Sequence, residues 1–315
     1  MNGLTTLSLA TLFTTVLAAA SAQAQGINQA GPETAQPINA QPGTINYVEG
    51  HAALDGRAVT PRTNRDGGAL PVMTTGQTLS TADGRAEVLL TPGVFLRIDH
   101  DTTVKMISPN LTKTEVEIDR GRADLEVDAL YKQNDLLVDE GTTQTKVLEN
   151  GLYEFDSASV AGGSVRVFDG KVAVSSGPEA KWIDVRGSHE LALGGIAGKP
   201  LHFDRIAAED DLYSWSSLRA SYLGRANANL LGAEYAGAPG LYPGWAWDPY
   251  VAGYTWLPYD GFLYSPFGFG FYSPAFFYGG LGYYGGGFYR GGYGYGGGFH
   301  GGVAGGGFHG GGGRR

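Results

Sequence analysis

The stretch Ser164-Val165-Arg166-Val167-Phe168-Asp169-Gly170-Lys171-Val172-Ala173-Val174-Ser175 reads as two short β-strands on either side of Asp169-Gly170. Valine-rich runs of this length suit a pleated, half-buried surface, and an Asp-Gly pair supplies the positive φ that a two-residue hairpin turn needs. The expectation is a β-hairpin. Similar runs lie upstream: Thr44 to Val48, Ala86 to Thr91, Val94 to Ile98, Thr114 to Ile118, Ala123 to Val127 and Leu152 to Phe155. Asp55-Gly56, Asp83-Gly84, Pro92-Gly93 and Asn150-Gly151 fall between strand candidates as further turns. In Thr114-Glu115-Val116-Glu117-Ile118 the apolar and acidic residues alternate, so one face is dry and the other wet. Short strands with regular turn signals predict an all-β fold, an antiparallel β-sandwich or jelly-roll-like roll, over residues 43–195.

The rest of the chain is different material. Residues 1–24 combine an apolar stretch from Leu4 to Ala20 with small residues at Ala20-Ser21-Ala22 and Ala22-Gln23-Ala24, the layout of a cleaved secretory signal peptide. The expected location is therefore extracytoplasmic: periplasm, secreted or cell surface, with no membrane-spanning segment in the mature chain. Residues 25–42 are polar and Pro-spaced, a flexible leader. Residues 204–232 predict one amphipathic helix with Asp204 as N-cap. Its apolar stripe is Leu212, Trp215, Leu218, Tyr222, Leu223, Ala226 and Leu230, and Gly232 and Gly237 end it. Residues 238–278 are rich in Pro, Trp, Tyr and Phe, and residues 279–315 are Gly-rich low complexity, expected to be largely disordered because Gly loses the most freedom on ordering.

Composition removes several functions. The 315 residues carry 22 Lys+Arg against 31 Asp+Glu, a formal net charge of −9, which disfavours a nucleic-acid partner that must be met by cations. There is no Cys, hence no disulfide, thiolate metal site or cysteine nucleophile. No nucleophile elbow, paired-His zinc motif, phosphate loop or dinucleotide fingerprint occurs, so neither an enzyme nor a cofactor is expected.

Weaker constellations remain. Asp99-His100-Asp101 would place two carboxylates on one face if it lay on a strand, as a catalytic pair or cation holder; otherwise it is a polar strand end entering a turn. His51, His189 and His202 have no metal-ligand spacing, and His300 and His309 sit in the Gly-rich tail. Arg290-Gly291-Gly292 is too poor in neighbouring cations for RNA. Arg85, Arg97, Arg120 and Arg122 would accept an acidic partner if they gathered on one face. The candidate binding residues are Trp245, Trp247, Trp256, Tyr250, Tyr254 and Tyr259. They form either an exposed aromatic platform for a glycan or protein, or a self-packing wrap over the β domain.

The β region resembles the FecR-type domain. The resemblance is carried by Gly43-Thr44-Ile45 with Val48-Glu49-Gly50, by Thr75-Gly76-Gln77-Thr78-Leu79-Ser80-Thr81, and by Gly84-Arg85-Ala86-Glu87-Val88-Leu89-Leu90. It continues through Gly93-Val94-Phe95-Leu96-Arg97-Ile98, Gly121-Arg122-Ala123, Gly151-Leu152-Tyr153-Glu154-Phe155 and Val165-Arg166-Val167-Phe168-Asp169-Gly170-Lys171-Val172. The resemblance implies an extracytoplasmic β domain that contacts proteins without a catalytic site. Sensing regulators of this family place an anti-sigma region and a membrane helix before that domain, where this chain has a signal peptide and leader. The expected function is a non-enzymatic envelope interaction protein that binds a protein partner and tethers through its tail. The alternatives are a regulatory component acting through a separate membrane partner, and a glycan-binding protein.

Overall fold

The structure is a computed structural model that describes residues 40–60, 70–157, 162–177, 180–193, 198–235 and 241–281. Residues 1–24, expected to be a signal peptide, leader residues 25–39 and tail residues 282–315 lie outside the described residues, as does Gly237; the tail includes Arg290, His300 and His309. In chain order the first strands are β1 (Thr44–Glu49), β2 (Ala52–Leu54), β3 (Arg57–Val59), β4 (Thr78–Thr81), β5 (Arg85–Leu89), β6 (Val94–Ile98), β7 (Thr103–Asn110), β8 (Lys113–Arg120) and β9 (Arg122–Val127). They are followed by β10 (Asp135–Glu140), β11 (Thr143–Val147), β12 (Gly151–Asp156), β13 (Ser164–Asp169), β14 (Lys171–Ser175), β15 (Ile183–Arg186), β16 (His189–Ala192) and β17 (Leu201–His202). Helix α1 (Asp211–Tyr235), strands β18 (Gly244–Asp248), β19 (Gly253–Leu257), β20 (Phe262–Tyr264) and β21 (Gly270–Tyr272), and helix α2 (Pro274–Leu281) complete the chain.

The strands form a sandwich of two sheets, one of eight strands in the order β1-β5-β6-β9-β12-β13-β16-β17 and one of nine in the order β15-β14-β11-β10-β8-β7-β4-β2-β3. Pairing is antiparallel except between β8 and β10, which run parallel. Alternate residues of both sheets face inward and build one apolar core, with Ala86, Val88, Leu96, Leu125, Phe155 and Val167 from the first sheet meeting Leu79, Met106, Val116, Val138, Val172 and Val174 from the second. Two sheets sharing an interdigitated core is the usual answer to strands with one apolar face each.

The hairpin expected at Asp169-Gly170 is not one. β13 pairs with β12 and β16 in the first sheet, while β14 pairs with β11 and β15 in the second. The turn is a corner that carries the chain from sheet to sheet, and so are Asp83-Gly84 and Asn150-Gly151. Asp55-Gly56 and Pro92-Gly93 do close hairpins, β2 with β3 and β5 with β6. Both outcomes satisfy the same sequence, because valines that face the core from one sheet or from opposite sheets are equally buried. The glycines tell them apart: a Cβ on Gly170 would stand 2.2 Å from the Tyr153 hydroxyl, whereas one on Gly56 meets nothing within 4 Å. At the corner glycine permits close approach; at the hairpin it supplies only its φ of 75°.

The helix also begins later than expected. Asp204 caps a separate turn through the Ile206 amide, and Asp210 caps α1 by accepting the Tyr213 amide at 3.0 Å. Gly232 lies inside α1, which runs on to Tyr235. Leu212, Trp215, Leu223, Ala226 and Leu231 are buried, but so are Ser216, Arg219 and Asn227, while Leu218 and Tyr222 face solvent. Buried positions recur every three or four residues as in any docked helix. The docked face is part polar because the surface beneath it is charged.

Residues 241–281 fold too. β18 pairs with β19 and β20 with β21, and a second core joins Leu89 and Phe95 on the outer face of the first sheet to Leu223, Tyr254, Trp256 and Phe271. Two buried amides stitch this cap down. Asn46 accepts from the Tyr254 amide at 2.7 Å and donates to the Tyr254 carbonyl, and Asn227 donates to the carbonyls of Trp256 and Tyr272. Ser273 caps α2, a short helix not expected from the sequence, by accepting the Phe276 amide.

Candidate functional site

The outer face of the eight-stranded sheet carries a row of charge set by register. Glu87 of β5 lies opposite Arg97 of β6, Arg97 opposite Asp124 of β9, Asp124 opposite Glu154 of β12, Glu154 opposite Arg166 of β13, and Arg166 opposite Glu190 of β16. α1 and the hairpin cap cover this face, so Glu87, Arg97, Asp124, Glu126, Asp128 and Glu154 are all buried. Arg97 donates to Glu87 at 2.9 Å and to Glu126. Arg219 of α1 donates to Glu87 at 2.9 Å and lies over the Tyr47 ring at 4.0 Å. Ser216 donates to Asp124 at 2.7 Å, and the Trp215 indole donates to Glu49 at 2.9 Å.

These surroundings split the carboxylates by their pKa values. Burial opposes the charge of Glu87, but Arg219 and Arg97 outweigh it and hold the group at about 2. Asp99 is likewise held at about 2, since the hydrogen bonds from Arg85 and Arg122 overcome its burial. Asp124 is pushed the other way, up to about 7, by burial and by the charge of Asp210. Glu154 reaches about 8 through burial and the charge of Asp124, and burial beside Glu126 raises Asp128 as well.

Asp99 and Asp101 do not share a face. β6 ends at Ile98, and Asp101 sits at a turn with φ of 51°. Asp99 is enclosed by Arg85 and Arg122 at 2.8 Å each, which removes it from any carboxylate pair with Asp101. Arg85, Arg97 and Arg122 do gather on one face, yet the acids they meet belong to the same chain, including Asp210 before α1; Arg120 ends β8 in the other sheet. His51 contacts Asp83 at 2.6 Å and His100 contacts Asp99 at 3.0 Å, while His189 packs on His202. Among the described residues no group of three His, Asp or Glu side chains is arranged to hold a metal.

The six candidate aromatics separate by depth. Trp256 is fully buried over Gly93 and packs on Phe271, Tyr254 is buried, and Trp245 and Trp247 are half-buried against Phe95 and Tyr254. The wrap over the β domain is therefore the fate of the tryptophans. Tyr250 and Tyr259 are 84% and 76% exposed, joined by Tyr242 at 83% and Tyr264 at 65%. Tyr242 and Tyr264 were not singled out by sequence, although each sits beside the Pro and Gly of a turn as Tyr250 and Tyr259 do.

Residues 77–173 match the FecR protein family. The chain contains a FecR domain. The match runs from just before β4 into β14, under a third of the 315 residues. Every charged group of the buried row except Glu190 belongs to the FecR domain, whereas Asn46, Asp210, Ser216 and Arg219, which answer that row, come from outside it. Two crystal structures of a candidate anti-sigma factor from Parabacteroides distasonis are similar, each at 17% identity, over 44% and 45% of this chain, with TM-scores of 0.34 and 0.35. The alignments span 61% and 64% of that protein, less than two thirds of its length. No curated protein matches the sequence.

The polar members of α1 were missed by a reading that tracked only apolar spacing. Ser216, Arg219 and Asn227 occupy the same helical face as Leu212, Leu223 and Ala226, so the signal was a polar residue at a core position.

Proposed function

We propose that this is a non-enzymatic interaction protein of the cell envelope, whose FecR domain is committed internally to its own C-terminal cap and whose cap presents tyrosines to an envelope protein. The observation that supports this reading is the exposure of Tyr242, Tyr250, Tyr259 and Tyr264 in and around the two hairpins, which are anchored in the second core by Trp256 of β19 and Phe271 of β21. Aromatic side chains with a polar tip, held on a rigid base, give contact area at low entropic cost. Residues 282–315 act as a tether, and residues 1–24 export the chain. Among the described residues no helix is long and apolar enough to cross a membrane.

The test is fractionation of cells expressing the full chain, a chain ending at Leu281, and full chains with Tyr250→Ser or Tyr259→Ser, followed by cross-linking. The expected result is that the chain ending at Leu281 leaves the insoluble envelope while keeping its cross-linked partner, and that the tyrosine variants lose the partner but not the fold. Undiminished capture by the tyrosine variants overturns the reading. A chain ending at Ala236 is unsuitable, because it strips Trp256 and Phe271 from Leu89 and Phe95.

The FecR match favours a second reading, a regulatory component that passes a signal to a separate membrane protein. It requires a change in transcription when the protein is deleted, and a flat expression profile removes it.

A further inference from the structure

Asp124 and Glu154 are two acids directly opposite each other on β9 and β12, both buried, with Asp124 in contact with α1. Like charges at opposed positions of one sheet face repel, and burial makes that repulsion costly. The cations nearby are already committed. Arg97, opposite Asp124 on β6, serves Glu87 and Glu126, and Arg122 on β9 serves Asp99 and Asp210. Arg166 on β13 serves Glu154 and Glu190, and Arg219 of α1 serves Glu87. From the helix side Asp124 faces Ser216, Tyr213 and the negative Asp210. Asp124 Oδ1 and Glu154 Oε2 are left buried with no donor among the described residues. One proton on either carboxyl removes one of the two like charges.

We propose that Asp124 and Glu154 form a proton-operated latch: a proton held by the pair keeps α1 seated on the FecR domain, and full ionisation of the pair loosens the helix. The link is the covering itself: α1 reaches Asp124 through Ser216, seals it from water and brings Asp210 near it, and burial together with Asp210 outweighs the Ser216 bond, which by itself favours the charged form. When α1 lifts, both acids meet water and return toward their ordinary values of 3.8 and 4.5, so docking takes up protons. The stabilisation is full below the ordinary values and disappears as pH rises through the neutral range, where the docked pair gives up its proton. A single linked proton makes the opening equilibrium of α1 rise about a hundredfold between roughly pH 5 and 8.

The experiment is native-state hydrogen exchange on the full chain across that range, corrected for intrinsic exchange rates, in the natural sequence and in Asp124→Asn and Glu154→Gln. Asn keeps an oxygen for Ser216 and cannot ionise. The expected result is a steep loss of α1 protection with rising pH in the natural protein and a much flatter profile in each variant, while Val172 and Val174 of β14 stay protected throughout. A pH-independent α1 in the natural protein, or an unchanged slope in both variants, overturns the proposal. If the variants fail to fold, carbon-13 titration of the carboxyls in the natural protein decides: one of the two carbons titrating near neutrality supports the latch, and both titrating below about pH 5 overturns it.

Discussion

β8 and β9 follow one another in the chain and look alike, Thr114-Glu115-Val116-Glu117-Ile118 against Ala123-Asp124-Leu125-Glu126-Val127, yet their charged faces meet different fates. On β8 the outer face of the nine-stranded sheet is only partly covered: Glu115 is buried beside Lys113 and Gln144, while Glu117 pairs with Lys105 at 3.6 Å, with side chains 27% and 40% exposed. On β9 Asp124 and Glu126 are sealed under α1 and the hairpins. The same alternation thus produces a weak, screened ion pair on one side and a tightly coupled buried network on the other. The difference lies in what the chain lays over each sheet more than eighty residues later.

The largest expected effect tests the buried side. Arg97→Met leaves Glu87 and Glu126 without their shared cation and is expected to cost about 3–5 kcal/mol in chemical denaturation, because an uncompensated buried charge is what makes breaking such a network costly. Little loss would mean that water reaches this face and that the two faces are alike after all.

Acid gives the next effect. Glu87 is held at about 2 against an ordinary 4.5, so its contribution is present above the ordinary value and is lost as pH falls from about 4.5 toward 2. The loss is on the order of 3 kcal/mol at about 1.4 kcal/mol per pKa unit. Thermal melts of the natural protein and Glu87→Gln across that range should converge at the acid end. This acid loss runs opposite to the neutral-pH loss expected from Asp124 and Glu154, so the buried face predicts greatest stability in mildly acidic conditions.

The smallest effect tests the wetter side. Lys105→Ala should change stability by less than about 1 kcal/mol, and that little should fade with added salt, as expected for an exposed pair. A salt-resistant cost comparable with that of Arg97→Met would erase the contrast between the faces.

Much of the architecture was legible. The strand runs, the alternation in Thr114 to Ile118 and the amphipathic helix all follow from local periodicity, which survives any tertiary arrangement. Asp169-Gly170 was legible as a sharp turn but not as a corner, since a hairpin and a sheet crossing ask the same of φ and differ only in which strands lie alongside. The candidate site was half legible. Tyr250 and Tyr259 are exposed as a surface platform requires, but Trp256 and Tyr254 were drawn into a core whose other half, Leu89 and Phe95, lies more than a hundred residues away.

By itself the sequence determined that two β-sheets would enclose a Val- and Leu-rich core, because a period of two sorts apolar from charged side chains at every strand without reference to distant residues. Only the tertiary structure decided which charged face would be dry. Alternation defines an outer face and is silent about what covers it, and the burial of Glu87, Arg97, Asp124 and Glu154 depends on α1 supplying Ser216 and Arg219 at positions where a core helix would ordinarily be apolar.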